Sequence, residues 1–363
     1  MNALKKVKEW LKVGNRSLWV AIAMMIILGT VAICLVTPYS AVSMGFSENR
    51  FIYKYIPFLI FGVLILIGCS RVSKKFMLIF SYILLAIGCA FILIRMISPD
   101  IITGSARYIH FFDLLSIDSF MLTLPAYIVL MSHWLSAESS QKKKVWIWLG
   151  SSLLTLFIVV AAFNALYPAM VATYVMSFFM MSCISRKNIP MVFYTSILLV
   201  LAVLGMLVYF VATVPHIHAR LASMVYGTSY SVQMAQNALR SCSLFGSNPE
   251  SIYVLNNLPD EYNCFMFASI ICKMGGAIGL LIFFLCTWTT DLLLEKIKNT
   301  SMFNKLFAIG VLVVFVTGYF GNMSTSIGGI QYEGYLPFMS FALTSLLAYC
   351  IMFGFLLSLS DKK

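Results

Sequence analysis

The stretch LWVAIAMMIILGTVAICLVT, residues 18–37, contains no charged side chain. A helix needs about 20 mainly apolar residues to cross the hydrocarbon core of a membrane, and this stretch is long enough. It follows the basic sequence KKVKEWLKVGNR and lacks the small-residue pattern of a cleavage site. We therefore interpret it as a retained membrane span and not as a removed signal peptide.

Apolar stretches of this kind recur along the whole chain. Of its 363 residues 61% are hydrophobic and only 10% are charged, and the mean hydropathy is +0.93. A soluble domain has no core large enough to bury so many apolar side chains. We predict an all-α polytopic membrane protein that forms one transmembrane domain over residues 1–363. About ten helices are expected, near 18–37, 55–69, 76–96, 117–135, 145–163, 166–183, 190–213, 264–290, 306–323 and 335–358.

The net charge of +12 is distributed in a way that indicates membrane topology. Short loops rich in Lys and Arg stay on the cytoplasmic side. With both termini in the cytoplasm and ten spans, most of the basic residues fall on that side, which argues against a nucleic-acid partner. These residues are Lys5, Lys6, Lys8, Lys12, Arg16, Arg71, Lys74, Lys75, Lys142, Lys143, Lys144, Arg186, Lys187, Lys296, Lys298, Lys305, Lys362 and Lys363.

A large outward loop, about residues 214–263, precedes the eighth apolar stretch. Loops longer than about 15 residues in compact proteins are usually functional or disordered, and this one contains many apolar residues. Its segment SYSVQMAQNALRSCSLFG has a helical pattern, with Val232, Ala235, Ala238 and Leu239 on one face. We predict a short helix on the outer membrane surface, followed by a turn at GSNP, and we expect function on the outer face.

Charged residues near this outer face are the first candidates for chemistry, because ionisable groups at membrane depth are costly. Arg107 in GSARYIHFF is followed by Asp113 and Asp118, although a solvated interfacial loop explains these residues equally well. Asp260 and Glu261 form an acidic pair, which suits acid–base catalysis, yet adjacent loop residues point apart. Lys273 has no evident partner, and either snorkels outward or pairs with an acid on another helix.

Histidine and cysteine give weaker signals. His216 and His218 have a spacing that occurs in metal sites, but no further ligands accompany them, so an interfacial pair is the better interpretation. Cys242 and Cys264 lie on or beside the outward loop, where an oxidising exterior permits a disulfide. The sequence implies no cofactor and leaves a divalent cation open. Nucleotide-binding and common hydrolase motifs are absent from the sequence, which argues against nucleotide-driven transport by this chain alone.

Five motifs in order resemble the SEDS family, the FtsW, RodA and SpoVE proteins of division, elongation and sporulation. PYSAVSMGF resembles the family's Tyr-Ser-Ala-Ser ending, and GSARYIHFF its Gly-Ala-Arg-Arg-Trp-Ile. QMAQNALRSCSLFGS resembles its Gly-Ser-Gly-Gly-Leu-Phe-Gly loop. LPDEYNCFMFA resembles Leu-Pro-Glu-Ala-His-Thr-Asp-Phe-Ile-Phe-Ala, and LPFMSFALTSLLA resembles Leu-Pro-Phe-Ile-Ser-Tyr-Gly-Gly-Ser-Ser-Leu-Leu-Ala.

The resemblance implies a role in peptidoglycan synthesis at the bacterial cytoplasmic membrane, in division or in elongation and cell shape. The family polymerises lipid II, an undecaprenyl-pyrophosphate-linked precursor, with a class B penicillin-binding transpeptidase as its partner. Its essential Asp would accept a proton from the attacking sugar hydroxyl. Cations would stabilise the leaving pyrophosphate. Arg107, Arg220, Ser340 and Ser345 are the substrate-binding candidates that the resemblance implies.

Several family acids are missing from this sequence. The essential Asp falls on Cys264, the Glu-Glu that follows falls on Cys272 and Lys273, and the Asp of Gln-Pro-Asp falls on Ala169. The family's Gln-Pro-Ser-Glu falls on residues 117–120, which places Phe120 at the Glu, and its Gly pair falls on residues 342 and 343. Fold residues remain where ionisable residues have gone, which is typical of a retained fold with altered chemistry.

Three functions remain open from the sequence. The first is a regulator or scaffold with weakened or lost glycosyltransferase activity. The second is a divergent but active polymerase that uses Asp260 or Glu261. The third is a different lipid-linked glycan ligase, polymerase or lipid transporter.

Overall fold

The structure is a computed structural model. It describes residues 16–43, 47–97, 108–111, 115–137, 141–165, 167–185, 201, 204, 205, 208, 230–255, 258, 262–298, 300–328, 332 and 334–359.

Long apolar helices make up most of the described chain. Eight of them are long and apolar enough to cross a membrane. They are α1 (Arg16–Ser43), α2 (Arg50–Cys69), α3 (Lys74–Ile97), α4 (Ser119–Ser136), α5 (Gln141–Asn164), α6 (Pro168–Ser185), α10 (Gly276–Ile297) and α11 (Met302–Ile327). The apolar helix α12 (Leu343–Leu359) is shorter. These helices confirm an all-α, multi-pass membrane protein.

Shorter elements complete the described structure. A two-stranded antiparallel hairpin joins β1 (Tyr108–Phe111) to β2 (Leu115–Asp118) just before α4. The outward loop contributes α7 (Tyr230–Arg240) and α8 (Pro249–Leu255), and α9 (Met266–Met274) precedes α10. In α7 the side chains of Val232, Ala235 and Ala238 are buried, so the predicted apolar face of this helix is confirmed.

Burial separates central helices from peripheral ones. In α4, 78% of the spanning window is buried, and in α11 the value is 72%, so these two helices form the centre of the bundle. In α2 and α3 the values are only 17% and 22%, and large apolar side chains remain exposed. Since lipid tails solvate apolar side chains, these faces are suited to contact with the hydrocarbon of the membrane.

One sequence prediction needs correction. The apolar stretch 264–290, predicted as one helix, is divided into α9 and α10 at Gly275, whose φ is +99°. The segment that follows Arg107, for which a solvated interfacial loop was one of the two interpretations, contains the β1–β2 hairpin. The stretch 190–213 lies almost wholly outside the described residues, and so do His216 and His218.

The break at Gly275 is also where the outward loop attaches to the bundle. The N–H groups of Gly276 and Ala277 donate to the carbonyls of Ser243 and Leu244, each at 3.0 Å. The first N–H groups of a helix have no partner within it, so the loop carbonyls satisfy them. A Cβ at Gly275 would lie 2.7 Å from the carbonyl oxygen of Leu244, and the positive φ is itself unfavourable for other residues. Glycine therefore permits both the break and the docking of the loop.

Candidate active site

The segment that contains Cys264 forms the entry to α9. Cys264 is only 4% exposed and belongs to a small apolar cluster between α7 and α9. The cluster also includes Leu258, Phe265 and Ala268 together with the buried face of α7. Apolar surroundings disfavour an isolated charge. The position that the resemblance assigns to the essential Asp therefore holds a small, buried thiol in an apolar setting.

Asn322, on α11, holds the backbone of this segment from the centre of the bundle. Its Nδ2 donates toward the carbonyls of Asn263 (2.9 Å), Cys264 (3.1 Å) and Gly334 (2.8 Å). Its Oδ1 accepts from the N–H of Phe267 at 3.1 Å. The side chain is fully buried, so these bonds form away from solvent. One amide thus fixes the entry to α9 and joins it to the loop before α12.

The loop before α12 supports the same segment from a second side. Ser340 donates from Oγ to the carbonyl of Asn263 at 3.0 Å and accepts from the N–H of Leu336 at 2.9 Å. The N–H of Phe341 donates to the carbonyl of Tyr262 at 2.9 Å. Ser340 is 5% exposed and its hydroxyl is already used within the protein. Ser345 is 3% exposed in the first turn of α12. Substrate contact by either serine stays a prediction.

A tight turn shapes this supporting loop. Phe338 has a φ of +61°. Among the described residues that are not glycine, it alone has a positive φ. Pro337 precedes it, and the N–H of Met339 donates to the carbonyl of Leu336 at 3.0 Å. Phe338 is buried against Tyr349 and Phe353, which offsets the unfavourable backbone conformation.

Asp118 lies at the end of the hairpin and caps α4. Its Oδ1 accepts from the N–H groups of Phe120 and Met121 at 3.0 and 3.1 Å. Its Oδ2 accepts from the hydroxyl of Tyr335 at 3.5 Å, and Tyr335 also bonds the hydroxyl of Tyr108. A carboxylate is a favoured group at a helix N-terminus, so a structural role accounts for this buried acid.

The position of a second missing acid is also closed. Ala169, where the resemblance places an Asp, is 1% exposed, and its carbonyl accepts from the hydroxyl of Tyr332 at 3.3 Å. Burial raises the pKa of Tyr332 further, to about 12, and this hydroxyl is a neutral donor at pH 7, as a tyrosine with its ordinary pKa also is. A tyrosine hydroxyl therefore binds the backbone at this position.

Lys273 connects α9 to α1. Its Nζ donates to the backbone carbonyls of Leu35 and Val36 at 3.3 and 3.2 Å. The neighbouring Cys272 is fully buried in the apolar cluster. The sequence suggested snorkelling or an acidic partner for Lys273. The structure shows that backbone carbonyls of α1 accept hydrogen bonds from its ammonium.

Several other predicted residues can be located only in part. Arg107, Arg220, Asp260 and Glu261 lie outside the described residues, so their roles stay predictions. Cys242 and Cys264 are not joined in a disulfide. Within the part of the chain that the structure describes, no group of three or more His, Cys, Asp or Glu residues is arranged to hold a metal ion.

Asn322 is the important residue that sequence reasoning missed. It lies at the end of an apolar stretch, where a buried amide is costly without partners, and this was the available signal. Its partners are up to 59 residues away along the chain, so their identity required the structure.

Comparison with known proteins gives the family. A family model described as Cell cycle protein, FTSW_RODA_SPOVE, matches residues 15–363. The chain belongs to the FtsW/RodA/SpoVE family. Among proteins of curated function, none matches its sequence.

Solved structures share the fold of this family member. One is a chain from work described as "Structural coordination of polymerization and crosslinking by a peptidoglycan synthase complex". It is 17% identical with a TM-score of 0.74, covering 95% of this chain and 97% of that one. The rod shape determining protein RodA of Thermus thermophilus is 14% identical with a TM-score of 0.67, covering 96% and 97%. An Asp-to-Ala mutant of that RodA gives the same identity and TM-score, covering 96% and 98%.

Proposed function

We propose that this FtsW/RodA/SpoVE protein acts in peptidoglycan synthesis at the bacterial cytoplasmic membrane, as a regulator or scaffold with weakened or lost polymerase activity. Family membership over residues 15–363 supports the process. The fold shared with a chain of a peptidoglycan synthase complex supports action beside a crosslinking enzyme. A class B penicillin-binding protein is therefore the proposed partner, and lipid II the proposed ligand.

The observation that carries this proposal is the state of position 264. The bonds from Asn322 and Ser340 hold the surrounding backbone in a defined conformation. The side chain inside this frame is a thiol packed among apolar groups, so it offers no carboxylate oxygen to accept a proton from a sugar hydroxyl. This backbone conformation without a carboxylate at position 264 fits a protein that binds a partner or a precursor better than it fits a polymerase.

Polymerisation and partner binding are measured together. Purified full-length protein receives fluorescently labelled lipid II, alone and with the transpeptidase that co-purifies with it, and glycan strands are resolved on gels. We expect a stable transpeptidase complex and strand formation at least about a hundredfold below that of an active relative, as expected when an essential general base is lost.

Two outcomes would contradict the proposal. Strong strand formation that is abolished by Asp260→Ala or Glu261→Ala would identify an active polymerase with a relocated acid. Ligation or transport of a different lipid-linked sugar, with no transpeptidase complex, would place the protein in another process. Ser247→Ala, in the exposed turn of the outward loop, serves as a matched control for those loop substitutions.

A further inference from the structure

A cavity of about 120 Å³ lies where the ends of α3 and α5 meet the start of α4. Its lining includes Ile92 and Arg95 from α3, Phe120 from α4, and Ala161 and Asn164 from α5. A cavity that holds one water molecule needs about 10–15 Å³ in the same measure, so this one has room for a small polyatomic anion. The cavity is separate from the apolar cluster that contains Cys264.

Arg95 supplies the charge of this cavity. It is 8% exposed, in the last turn of the membrane-spanning helix α3, and a buried guanidinium in such a helix is a functional candidate in its own right. A guanidinium has five N–H donors arranged in a planar fork. It can therefore hold a structural partner and still present donors to a ligand.

The other described lining residues favour an anion. None of them is acidic, and Asn164, at the exposed end of α5, adds an amide that can donate hydrogen bonds. Phe120, at the position where the resemblance implies a Glu, contributes an uncharged ring to the cavity wall. Guanidinium groups bind phosphate oxygens in paired hydrogen bonds, which gives both strength and geometry.

The surroundings of the cavity favour an anion that carries a lipid chain. Leu93, Ile94 and Ile97, in the last turns of α3, are 46%, 54% and 80% exposed, and they form an apolar surface on the same helix as Arg95. All three helix ends lie at one end of their spans, which the charge pattern predicts to be the outer end. A ligand here has its headgroup at the membrane boundary and its chain in the hydrocarbon.

We propose that this cavity binds the phosphate or diphosphate group of a membrane lipid, with Arg95 as the principal contact. The proposal rests on the proposed function only in identifying the lipid that is bound in the cell, and it names the chemical class of that lipid. Binding does not require polymerisation. A failed binding test therefore leaves the proposed role in peptidoglycan synthesis standing, and the reverse also holds.

The test measures binding of defined probes to the full-length protein in nanodiscs of zwitterionic phosphatidylcholine. The probes are farnesyl diphosphate, farnesol, dioctanoyl phosphatidylglycerol and inorganic diphosphate. We expect farnesyl diphosphate to bind at least about tenfold more tightly than farnesol or inorganic diphosphate, because it has both the charge and the chain. Phosphatidylglycerol at equal affinity would support a lipid phosphate and assign the source to bulk anionic lipid.

Variants assign the binding to this cavity. Arg95→Gln should weaken farnesyl diphosphate binding at least about tenfold, and Arg95→Lys should recover part of it. Ala165→Leu fills the cavity and keeps the arginine, so it decides the question if Arg95→Gln fails to fold. Arg71→Gln, at an exposed arginine between α2 and α3, should bind as the unmodified protein does.

Three results would overturn the proposal. The first is unchanged binding in both Arg95→Gln and Ala165→Leu. The second is inorganic diphosphate binding as tightly as farnesyl diphosphate, which would indicate a soluble anion. The third is farnesol binding as tightly as farnesyl diphosphate, which would leave Arg95 with a role in the helix end alone.

Discussion

Removing the amide of Asn322 should destabilise the candidate site more than any other single change to a polar side chain around it. The side chain is fully buried, and its Nδ2 and Oδ1 together contact three carbonyls and one N–H. In Asn322→Ala these groups lose their partner. A buried polar group without a partner costs about 1–3 kcal/mol, and partial relaxation keeps the sum at about 2–5 kcal/mol.

The measurement is thermal unfolding of the purified protein in detergent, followed by intrinsic fluorescence. For a chain of this length, 1 kcal/mol corresponds to roughly 1–2 °C in Tm, so Asn322→Ala should unfold about 3–7 °C lower. Asn304→Ala is the matched control on the same helix, because its amide makes one bond of 3.4 Å, to the carbonyl of Leu359, near the surface. We expect a loss of less than about 1 kcal/mol there. An equal decrease in Tm in the two variants would refute the conclusion that the Asn322 amide holds the backbone at the entry to α9.

Other substitutions probe the supporting contacts, each followed by the same unfolding measurement. Gly275→Ala should lower the free energy of unfolding by about 2–4 kcal/mol, because of the positive φ and the close carbonyl of the docked loop. Gly68→Ala, with open space around the new Cβ, should be neutral or slightly stabilising. Equal effects of the two substitutions would contradict the docking of the loop at Gly275. Asp118→Ala removes the cap of α4 and should lower the free energy of unfolding by about 1–2 kcal/mol. Asp118→Asn keeps an oxygen that can accept these bonds and should retain most of the stability. Similar losses in both variants would show that the charge, and not the cap, stabilises the protein. Lys273→Met should lose about 1–3 kcal/mol with the bonds from α9 to α1, and an unchanged Tm would show that these bonds contribute nothing.

Much of the fold follows from local patterns that the sequence displays. Apolar length predicts the spans, because the hydrocarbon core demands it. The face of α7 follows from helical spacing, since Val232, Ala235 and Ala238 return to one side of the helix. The division at Gly275 does not follow, because hydropathy is continuous across a single glycine and the break depends on a loop that docks from elsewhere.

The position of the candidate site was predictable from the sequence, but the hydrogen bonds that hold its backbone were not. The resemblance locates Cys264 and indicates the missing carboxylate. It does not show that Asn322 and Ser340 hold the backbone, because those bonds join residues 58 to 77 positions apart in sequence. The cavity beside Arg95 was missed for the same reason, since its lining comes from three helices and only the fold brings them together.

The central claim is that the backbone around position 264 is retained while the catalytic carboxylate is absent. Restoring the carboxylate tests this claim most directly. Glycan strand formation from labelled lipid II is measured for Cys264→Asp, with Cys264→Asn as the uncharged control of the same shape and the unmodified protein as reference. We expect strands from Cys264→Asp at least about tenfold above both others, because only the carboxylate can accept the sugar proton. A folded Cys264→Asp protein that binds lipid II and the transpeptidase yet forms no more strands than Cys264→Asn would contradict the claim.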